Sequence, residues 1–486
     1  MTIITKTAPA SPEYRGAWSA VDTALWAYLV LPLPIFLLGF FLPALVLPLA
    51  ALALAAAWQF LPRPPARAGS PPWGDYALLA LLAAAWAALG GAGHLFHANG
   101  IDWVPRFAVL RDLVVEPWPP RYAAGDAVHL LRAPLAYYLP PALLANATSL
   151  AAADSLLLGW TWLGLALFFC ATFSGSRRHK LALALVFAFI SGLDVLGLWL
   201  RAGSLPWPTQ HIEWWAGGLQ YSSNATLLFW VPNHGLAGWI AGAWLWRFRD
   251  HPDFLARLPT LFLPLMLWSP LVAVGLLPLA LAAAAKHGRA LLHDAPTLLK
   301  SLGLVALPGA LVAAYLLQGL FGSQTGATAL TPSAAVLQQA PGVTNTLLFV
   351  VLEAAVFCVF LIRRERSPLT LATAATLLLL PWLQFGPNND LLMRASIPAL
   401  AILWLVIAEA LLAPAGADGQ ARVWRGALLC LFALGAVTPL QEIHRAVLGK
   451  PWPADTRITA PQALGGFPPH YFVREDRAWL APVMRR

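Results

Sequence analysis

The chain has 486 residues, of which 59% are hydrophobic and only 11% are charged. A soluble globular protein carries about 25% charged residues, and the deficit here extends along the whole chain, which excludes a soluble domain with one anchor. The formal net charge of +9 does not indicate nucleic-acid binding, because the Lys and Arg residues form short clusters between apolar runs. The composition therefore predicts a polytopic membrane protein.

Apolar runs of about 20 residues, long enough to cross a bilayer as helices, recur along the sequence. The first run, 24–61, is nearly twice that length and predicts two helices joined near 39–43. The stretch 258–285 predicts a tight helical pair. Further spans are predicted at 74–93, 150–173, 180–200, 226–246, 300–320, 344–362, 367–386, 394–413 and 425–441. The predicted fold class is all-α, a polytopic membrane protein with about 11–13 transmembrane helices.

Clusters of Lys and Arg predict which loops face the cytoplasm, since cytoplasmic loops carry an excess of positive charge. If all the clusters between spans are cytoplasmic, the N-terminus is also inside, and the outward loops are 94–149, 201–225, 321–343 and 386–393. This arrangement requires that 127–146 does not cross the membrane, and we expect it to be a helix lying at the interface. The same count places the tail after residue 442 outside, although the tail carries seven basic residues.

The predicted spans divide the chain into three parts. Residues 1–61 form an N-terminal helical hairpin, 62–441 form a transmembrane core that includes the outward loop 94–149, and 442–486 form an extramembrane tail on the outward side. The sequence contains neither of the glycine-rich nucleotide-binding motifs G-x-x-x-x-G-K-[ST] and G-x-G-x-x-G. Energy for chemistry or transport would therefore come from the substrate or from an ion gradient.

The first outward loop begins G-H-L-F-H-A-N-G-I-D-W-V-P-R, just beyond the end of a predicted span. Asp102 lies there near the bilayer surface, where a carboxylate can act as general base towards an attacking hydroxyl. The structural alternative is an ordinary ion pair among Asp102, Arg106 and Asp112. The loop supplies four candidates for substrate binding, namely His97, Asn99, Trp103 and Asp112.

The second outward loop contains W-P-T-Q-H-I-E-W-W-A-G-G-L-Q-Y. Its clustered aromatic side chains beside polar groups suit stacking against sugar faces. Alternatively, they form only an interfacial belt that anchors the helices. The candidates for substrate binding in this region are His211, Glu213, Tyr221 and, in the following span, His234.

The segment F-G-P-N-N-D-L-L-M-R-A-S-I-P, 385–398, places Arg394 at the outward end of a predicted span, beside Asn389 and Asp390. An arginine at that depth costs free energy unless it has an anionic partner. Its planar guanidinium group suits a phosphate. The structural alternatives are a pair with Asp390 or extension of the side chain to the surface. Asn389 and Asp390 are further candidates for substrate binding.

Four acidic residues fall within predicted spans: Asp154, Asp194, Glu353 and Glu409. Carboxylates inside a membrane are candidates for function by default. Asp194 and Glu353 lie toward the outer halves of their helices and could reach one cavity, whereas Glu409 lies near the inner end. The structural alternative for each is a neutral, hydrogen-bonded packing residue.

The large acidic first outward loop and the segment A-P-L-A-Y-Y-L-P-P at 133–141 resemble the GT-C superfamily of polytopic glycosyltransferases, which use polyprenyl-phosphate-linked sugars. The 133–141 segment is similar to the P-P-L-Y-Y-type interfacial helix of bacterial aminoarabinose transferases and protein mannosyltransferases. In this group a basic residue at the outward end of a span holds the lipid phosphate. Arg394 matches that position.

The resemblance implies an inverting glycosyl transfer on the outer face of a bacterial cytoplasmic membrane. Asp102 would be the catalytic base, and Arg394, with Arg106 or Arg201, would bind the donor phosphate. The expected partners are a polyprenyl-phosphate-linked sugar and membrane lipids; no nucleic acid and no protein partner are implied. A divalent metal is compatible with such a site, but no residue pattern requires one, so no metal ligand is assigned.

Two other functions remain open from the residues. The first is a transporter or flippase of a lipid-linked or amphipathic solute, with Asp154, Asp194 and Glu353 as coupling groups. The sequence lacks the internal repeat that is common in secondary transporters, which disfavours it. The second is a polymerase or ligase of surface polysaccharide, which would share the lipid-linked donor.

Overall fold

The structure is a computed structural model that describes residues 18–61, 73–174, 179–207, 209–319, 342–386, 388–413 and 419–485. The described chain is mainly helical, and its three short strands form one small sheet. The predicted outward loop 321–343 lies outside the described residues, apart from its last two positions. The all-α class predicted from composition is confirmed.

Many helices begin with Pro in the first turn, where its missing N–H is not needed for an intrahelical bond. The α-helices span Ala20–Val30, Pro32–Phe40, Pro43–Phe60, Trp73–Leu89, Gly100–Val115, Leu139–Ala147, Ala153–Phe173, Lys180–Phe189, Asp194–Ala202, Asn224–Trp230, Pro232–Phe248, Pro252–Arg257, Pro259–Trp268, Pro270–Lys286, Gly288–His293, Ala295–Leu317, Val343–Val350, Val356–Arg364, Pro368–Leu379, Asp390–Ala395, Ile397–Leu412, Gly419–Gly435, Val437–Leu448 and Ala460–Ala463. A π-helical turn, Val351–Ala355, joins two of them. Short 3₁₀ turns span Leu150–Ala152, Ile212–Ala216, Leu380–Trp382, Glu475–Arg477 and Ala481–Val483.

Seven helical segments among the described residues are long and apolar enough to cross a membrane: Ala20–Phe40, Pro43–Phe60, Leu150–Phe173, Lys180–Ala202, Ala295–Leu317, Val343–Arg364 and Gly419–Leu448. Shorter apolar helices accompany them at Trp73–Leu89, Pro259–Trp268, Pro270–Lys286, Pro368–Trp382 and Ile397–Leu412. The protein is therefore a multi-pass membrane protein. The junction predicted near 39–43 and the helical pair predicted within 258–285 are both confirmed, with breaks at Phe41 and Ser269.

The helices Pro232–Phe248 and Ile397–Leu412 pack closely at the centre of the bundle. Gly238 lies against Ile397, and Gly242 lies against Pro398. Small residues four positions apart let two membrane helices approach closely. Gly242 also lies against Ala401, one turn beyond Ile397, so the contacts follow the same order along both helices and the two helices begin at the same end of the bundle.

The C-terminal tail is joined to the first large loop by a three-stranded antiparallel sheet. Its strands are β1 (Arg121–Ala124), β2 (Ala127–Leu131) and β3 (Phe472–Arg474), in that order. The β1–β2 turn contains Gly125, whose φ of 61° favours glycine. β3 pairs with β2 so that Val473 faces Leu130. The tail and the loop 94–149 therefore lie at the same end of the bundle.

The segment 127–146 forms only in part the helix that the sequence predicts. Residues 127–131 are strand β2, and the helix in this region is Leu139–Ala147. Strand β2 pairs with β1, a few positions earlier, and also with β3, more than 300 positions later, which supplies backbone partners for His129, Leu130 and Leu131. Local hydrophobicity does not reveal such a distant partner.

A close helix contact fixes the position of Arg394 and yields a first prediction. A methyl group on Gly275 would overlap the backbone carbonyl of Ala395, the residue after Arg394. We expect Gly275→Ala to destabilise the protein by about 1–3 kcal/mol, the usual range for an overpacked core. Thermal unfolding in detergent measures this change.

The matched control is Gly303→Ala, because no atom lies within 4 Å of the added methyl group. Alanine in an open helical position stabilises by roughly 0.5–1 kcal/mol relative to glycine. Unfolding midpoints that move equally in the two variants would contradict the role assigned to the Gly275 contact.

Candidate functional site

Asp102 lies in the first turn of the helix Gly100–Val115. Asn99 caps this helix, since its Oδ1 accepts a hydrogen bond from the Asp102 backbone N–H at 2.9 Å. The Asp102 side chain is 29% exposed. Its backbone is thus held firmly while its carboxylate stays accessible to a second molecule.

Arg106 lies one turn further along the same helix and is buried. Its Nη2 is 3.7 Å from Asp102 Oδ1. Its Nη1 donates hydrogen bonds to Tyr138 Oη at 2.9 Å and to Asn233 Oδ1 at 2.8 Å. These neutral partners orient the guanidinium without cancelling its charge.

The short helix Asp390–Ala395 brings Arg394 to the same region. Arg394 Nη2 is 2.9 Å from Asp390 Oδ1, and the Arg394 side chain is 32% exposed. Asn389 precedes the helix with a left-handed φ of 55°, which Asn tolerates better than most residues. Both Arg394 and Asp390 act electrostatically on Asp102, so the structure brings these distant parts of the sequence together.

The electrostatic surroundings of Asp102 suit a group that accepts a proton. Burial raises the pKa of the Asp102 carboxyl above its ordinary value, and the guanidinium groups of Arg106 and Arg394 oppose that effect. A carboxylate whose pKa lies closer to neutrality is a more effective general base.

His234 lies next to this cluster as a supporting residue. Its Nδ1 is 2.8 Å from Ser269 Oγ, and its ring is 3.3 Å from the Asn233 amide nitrogen. Asn233 in turn holds Arg106. His234 is buried, and its contact with Asn233 helps to position the partner of Arg106.

Three buried donor atoms in this region have no hydrogen-bond partner among the described residues. They are Asn99 Nδ2, Arg106 Nε and Asn389 Nδ2. Buried donors are normally paired, and leaving one unpaired costs about 1–3 kcal/mol. All three belong to segments that carry Asp102 or Arg394, and an anionic group with several oxygens could satisfy them.

The tail contributes two residues that the sequence did not predict. Tyr471 interacts electrostatically with Arg106, and His470 does so with Asp390 and Arg394. They are held there because the Arg132 backbone N–H donates to the Tyr471 carbonyl at 2.7 Å. The segment F-P-P-H-Y-F at 467–472, which follows two glycines, is the signal that could have drawn attention to them.

Three residues predicted to bind substrate make contacts within the protein, and two of them join the loop 94–149 to the tail. Trp103 Nε1 donates to the Phe229 carbonyl at 2.7 Å, and Trp103 is fully buried. His97 Nδ1 is 2.9 Å from the Lys450 carbonyl oxygen. The third, Asp112, accepts three hydrogen bonds, from Arg111 Nη1, Tyr122 Oη and the Ala460 backbone N–H.

The Asp112 contacts give a second prediction. Removing one member of a buried ion pair costs about 3–5 kcal/mol. We therefore expect Asp112→Ala to destabilise the protein by about that amount and to expose the tail to protease, because Ala460 loses its acceptor. Glu116→Ala is the matched control, since Glu116 lies 3.6 Å from the same Arg111 but is partly exposed. Equal cleavage of the two variants would contradict the prediction.

The candidates from the second loop form a separate group. Tyr221 Oη donates to the Leu377 carbonyl at 2.7 Å, and Arg201 Nη1 donates to the Trp215 carbonyl at 2.7 Å. His211 and Glu213 lie beside the helix Val437–Leu448, where His211 Nδ1 is 2.7 Å from Glu442 Oε1. Arg201 also lies 3.3 Å from Asn345 Oδ1, so its hydrogen bonds go to Trp215 and Asn345.

No group of three or more His, Cys, Asp or Glu side chains in the described part of the chain is placed to hold a metal ion. No protein-family model matches the chain, and no curated protein or solved structure matches it either.

Proposed function

We propose that the protein is a membrane glycosyltransferase that moves a sugar from a polyprenyl-phosphate carrier to an acceptor hydroxyl. The observation that carries the proposal is the convergence of Asp102, Arg106 and Arg394 at one end of the bundle. One accessible carboxylate beside two guanidinium groups matches a reaction that needs a base and a site for a phosphate leaving group.

In the proposed reaction the acceptor oxygen attacks the anomeric carbon while the bond from that carbon to the phosphate oxygen breaks. Asp102 takes the acceptor proton, and the polyprenyl phosphate leaves with the bonding electrons. Arg394 and Arg106 stabilise the charge that develops on the phosphate. A single displacement inverts the configuration at the anomeric carbon.

The proposed setting is the outer face of a bacterial cytoplasmic membrane. Lys and Arg clusters in the other loops support this orientation through the positive-inside rule. The association of the loop 94–149 with the tail also supports it, because charge counting places both on the outward side. The ion pair between Arg249 and Glu365 joins two segments that the positive-inside rule places together on the cytoplasmic side.

The pH dependence of the reaction gives a third prediction. The base must be ionised, and burial raises the pKa of Asp102. Activity should therefore fall as the pH drops through this raised pKa, at a higher pH than for an ordinary Asp, and level off above it. A profile of kcat/KM against pH measures this fall in activity. A rate that stays constant down to the ordinary pKa of Asp, about 3.9, would contradict the assignment.

The function itself is tested with purified protein in nanodiscs and a panel of polyprenyl-phosphate-linked sugars. We expect release of polyprenyl phosphate that depends on both the acceptor and the protein. Product size distinguishes transfer of one sugar from the polymerase or ligase alternative. Failure to release lipid phosphate from any donor, combined with transport of an intact lipid-linked solute, would replace the proposal with the transporter alternative.

A further inference from the structure

Three interruptions of regular helix meet at one place inside the bundle. The span Lys180–Ala202 is broken between Phe189 and Asp194. The span Val343–Arg364 contains the π-helical turn Val351–Ala355. The span Gly419–Leu448 is broken at Ala436. Irregular backbone at membrane depth is tolerated where it is enclosed by protein or lines a cavity, and π turns occur frequently at functional sites.

Side chains and backbone from all three interruptions contact one another. A methyl group on Gly435 would overlap the Ser191 carbonyl, and one on Gly192 would overlap Glu353 Oε2. Thr438 Oγ1 donates to Asp194 Oδ2 at 2.8 Å. The two glycines thus let the broken segments approach closely around Asp194 and Glu353.

Asp194 and Glu353 are buried and their carboxyl groups face each other. Glu353 Oε1 accepts a hydrogen bond from Trp215 Nε1 at 3.2 Å. Glu353 Oε2 has no donor among the described residues. Two carboxylates that meet in a buried site cannot both be ionised cheaply, and a proton on one of them would supply the missing hydrogen bond.

A second group of titratable residues continues from this pair toward the end of the bundle that carries Asp102. Glu213 acts electrostatically on both Asp194 and Glu353. Burial raises the pKa of Glu213. His211 Nε2, a buried atom without a hydrogen-bond partner in the described chain, lies 4.0 Å from Glu213 Oε2.

His211 connects this group to the surface. Its Nδ1 is 2.7 Å from Glu442 Oε1, and the same oxygen lies 2.9 Å from Arg445 Nη1. Arg445 is partly exposed, with 20% of its side chain accessible. Tyr221 is a further titratable neighbour on the Glu353 side, and it also interacts electrostatically with Cys358.

We propose that this array is a proton-binding site, in which Asp194 and Glu353 share one proton that exchanges with the aqueous phase through Glu213 and the His211–Glu442 pair. A proton passes from the His211–Glu442 pair, which lies beside the partly exposed Arg445, to Glu213 and ends on the Asp194–Glu353 pair. Release follows the same path in reverse, and no other reactant is consumed. The proposal goes beyond the glycosyltransferase function, since it uses none of the residues of the Asp102 site.

Infrared spectroscopy of the purified full chain in nanodiscs, recorded as a function of pH, tests the proton on the pair. We expect a carbonyl band of a protonated carboxylic acid at neutral pH that disappears as the pH rises. Glu353→Gln should remove it, because the remaining Asp194 carboxylate keeps the hydrogen bonds that Ser191 and Thr438 donate to it. Glu409→Gln, which changes a half-buried acid beside Arg364, is the matched control and should leave the band in place.

Gly192→Ala keeps every acidic residue but displaces Glu353 Oε2. This variant tests the proposal if Glu353→Gln does not fold. It should move the midpoint of the band toward lower pH, because the two carboxyl groups share the proton less well. A neutral-pH band that survives in Glu353→Gln, or an unshifted band in Gly192→Ala, would overturn the proposal.

The route is tested separately by the rate at which the band shifts after transfer to deuterated water. His211→Gln should slow this exchange several-fold relative to wild type. His129→Gln is the control, because His129 lies in strand β2 and stacks on Phe467. Unchanged exchange in His211→Gln would exclude His211 as the entry point.

Discussion

Replacing Asp102 by Asn should lower kcat for sugar transfer by about 10²- to 10⁴-fold, the usual contribution of a general base. The amide keeps the size of the side chain but cannot accept the acceptor proton. The helix cap should survive, since Asn99 binds the backbone N–H of Asp102 rather than its side chain. Release of polyprenyl phosphate measures the rate, and thermal unfolding checks that the variant is folded.

Asp126→Asn is the matched control for this substitution. Asp126 is an exposed acid in the turn between β1 and β2, and its loss should leave the rate unchanged. Undiminished transfer by folded Asp102→Asn would exclude Asp102 as the base. An equal loss in both variants would indicate a general effect of charge at this surface.

Replacing Arg394 by Ala should lower kcat/KM for the lipid-linked donor by about 10- to 100-fold. A hydrogen bond to a charged group contributes about 1.5–3 kcal/mol, and 1.4 kcal/mol corresponds to a factor of ten. Arg394→Lys should retain part of the activity that Arg394→Ala loses, because Lys keeps the charge but not the planar guanidinium group. Steady-state kinetics with varied donor concentration measures the effect.

Asp390→Asn distinguishes phosphate binding from a structural role of Arg394. If the Arg394–Asp390 pair only stabilises the fold, the two single variants should lose similar stability and similar activity. In our account Asp390→Asn leaves Arg394 free to bind the phosphate and retains most of the activity. Arg457→Ala, which removes an exposed arginine paired with Asp455, should have no effect.

Much of the fold could be predicted because hydropathy is a local property. The long first run, the pair within 258–285 and most span positions follow from apolar length alone. Interruptions inside spans could not be predicted in this way. The π turn at Glu353 and the break before Asp194 depend on glycines and side chains contributed by other helices.

The candidate site was predicted in part. Charge counting placed the segments of Asp102 and Arg394 on one side of the membrane, and the structure brings both to one cluster with Arg106. Tyr138, Asn233 and Tyr471 were not predicted as neighbours of Arg106, because the contacts are non-local. Similarly, the hydrogen bonds of Asp112 and Trp103 with backbone groups could not be predicted, because their partners lie far away in the sequence.

The most direct test of the central proposal is a cryo-EM structure of the protein in nanodiscs with a polyprenyl phosphate. We predict that the phosphate contacts the guanidinium of Arg394 and lies beside Arg106 and Asp102, with the polyprenyl chain between helices of the bundle. A phosphate bound at the opposite end of the bundle, or at a site that excludes Arg394, would contradict the account.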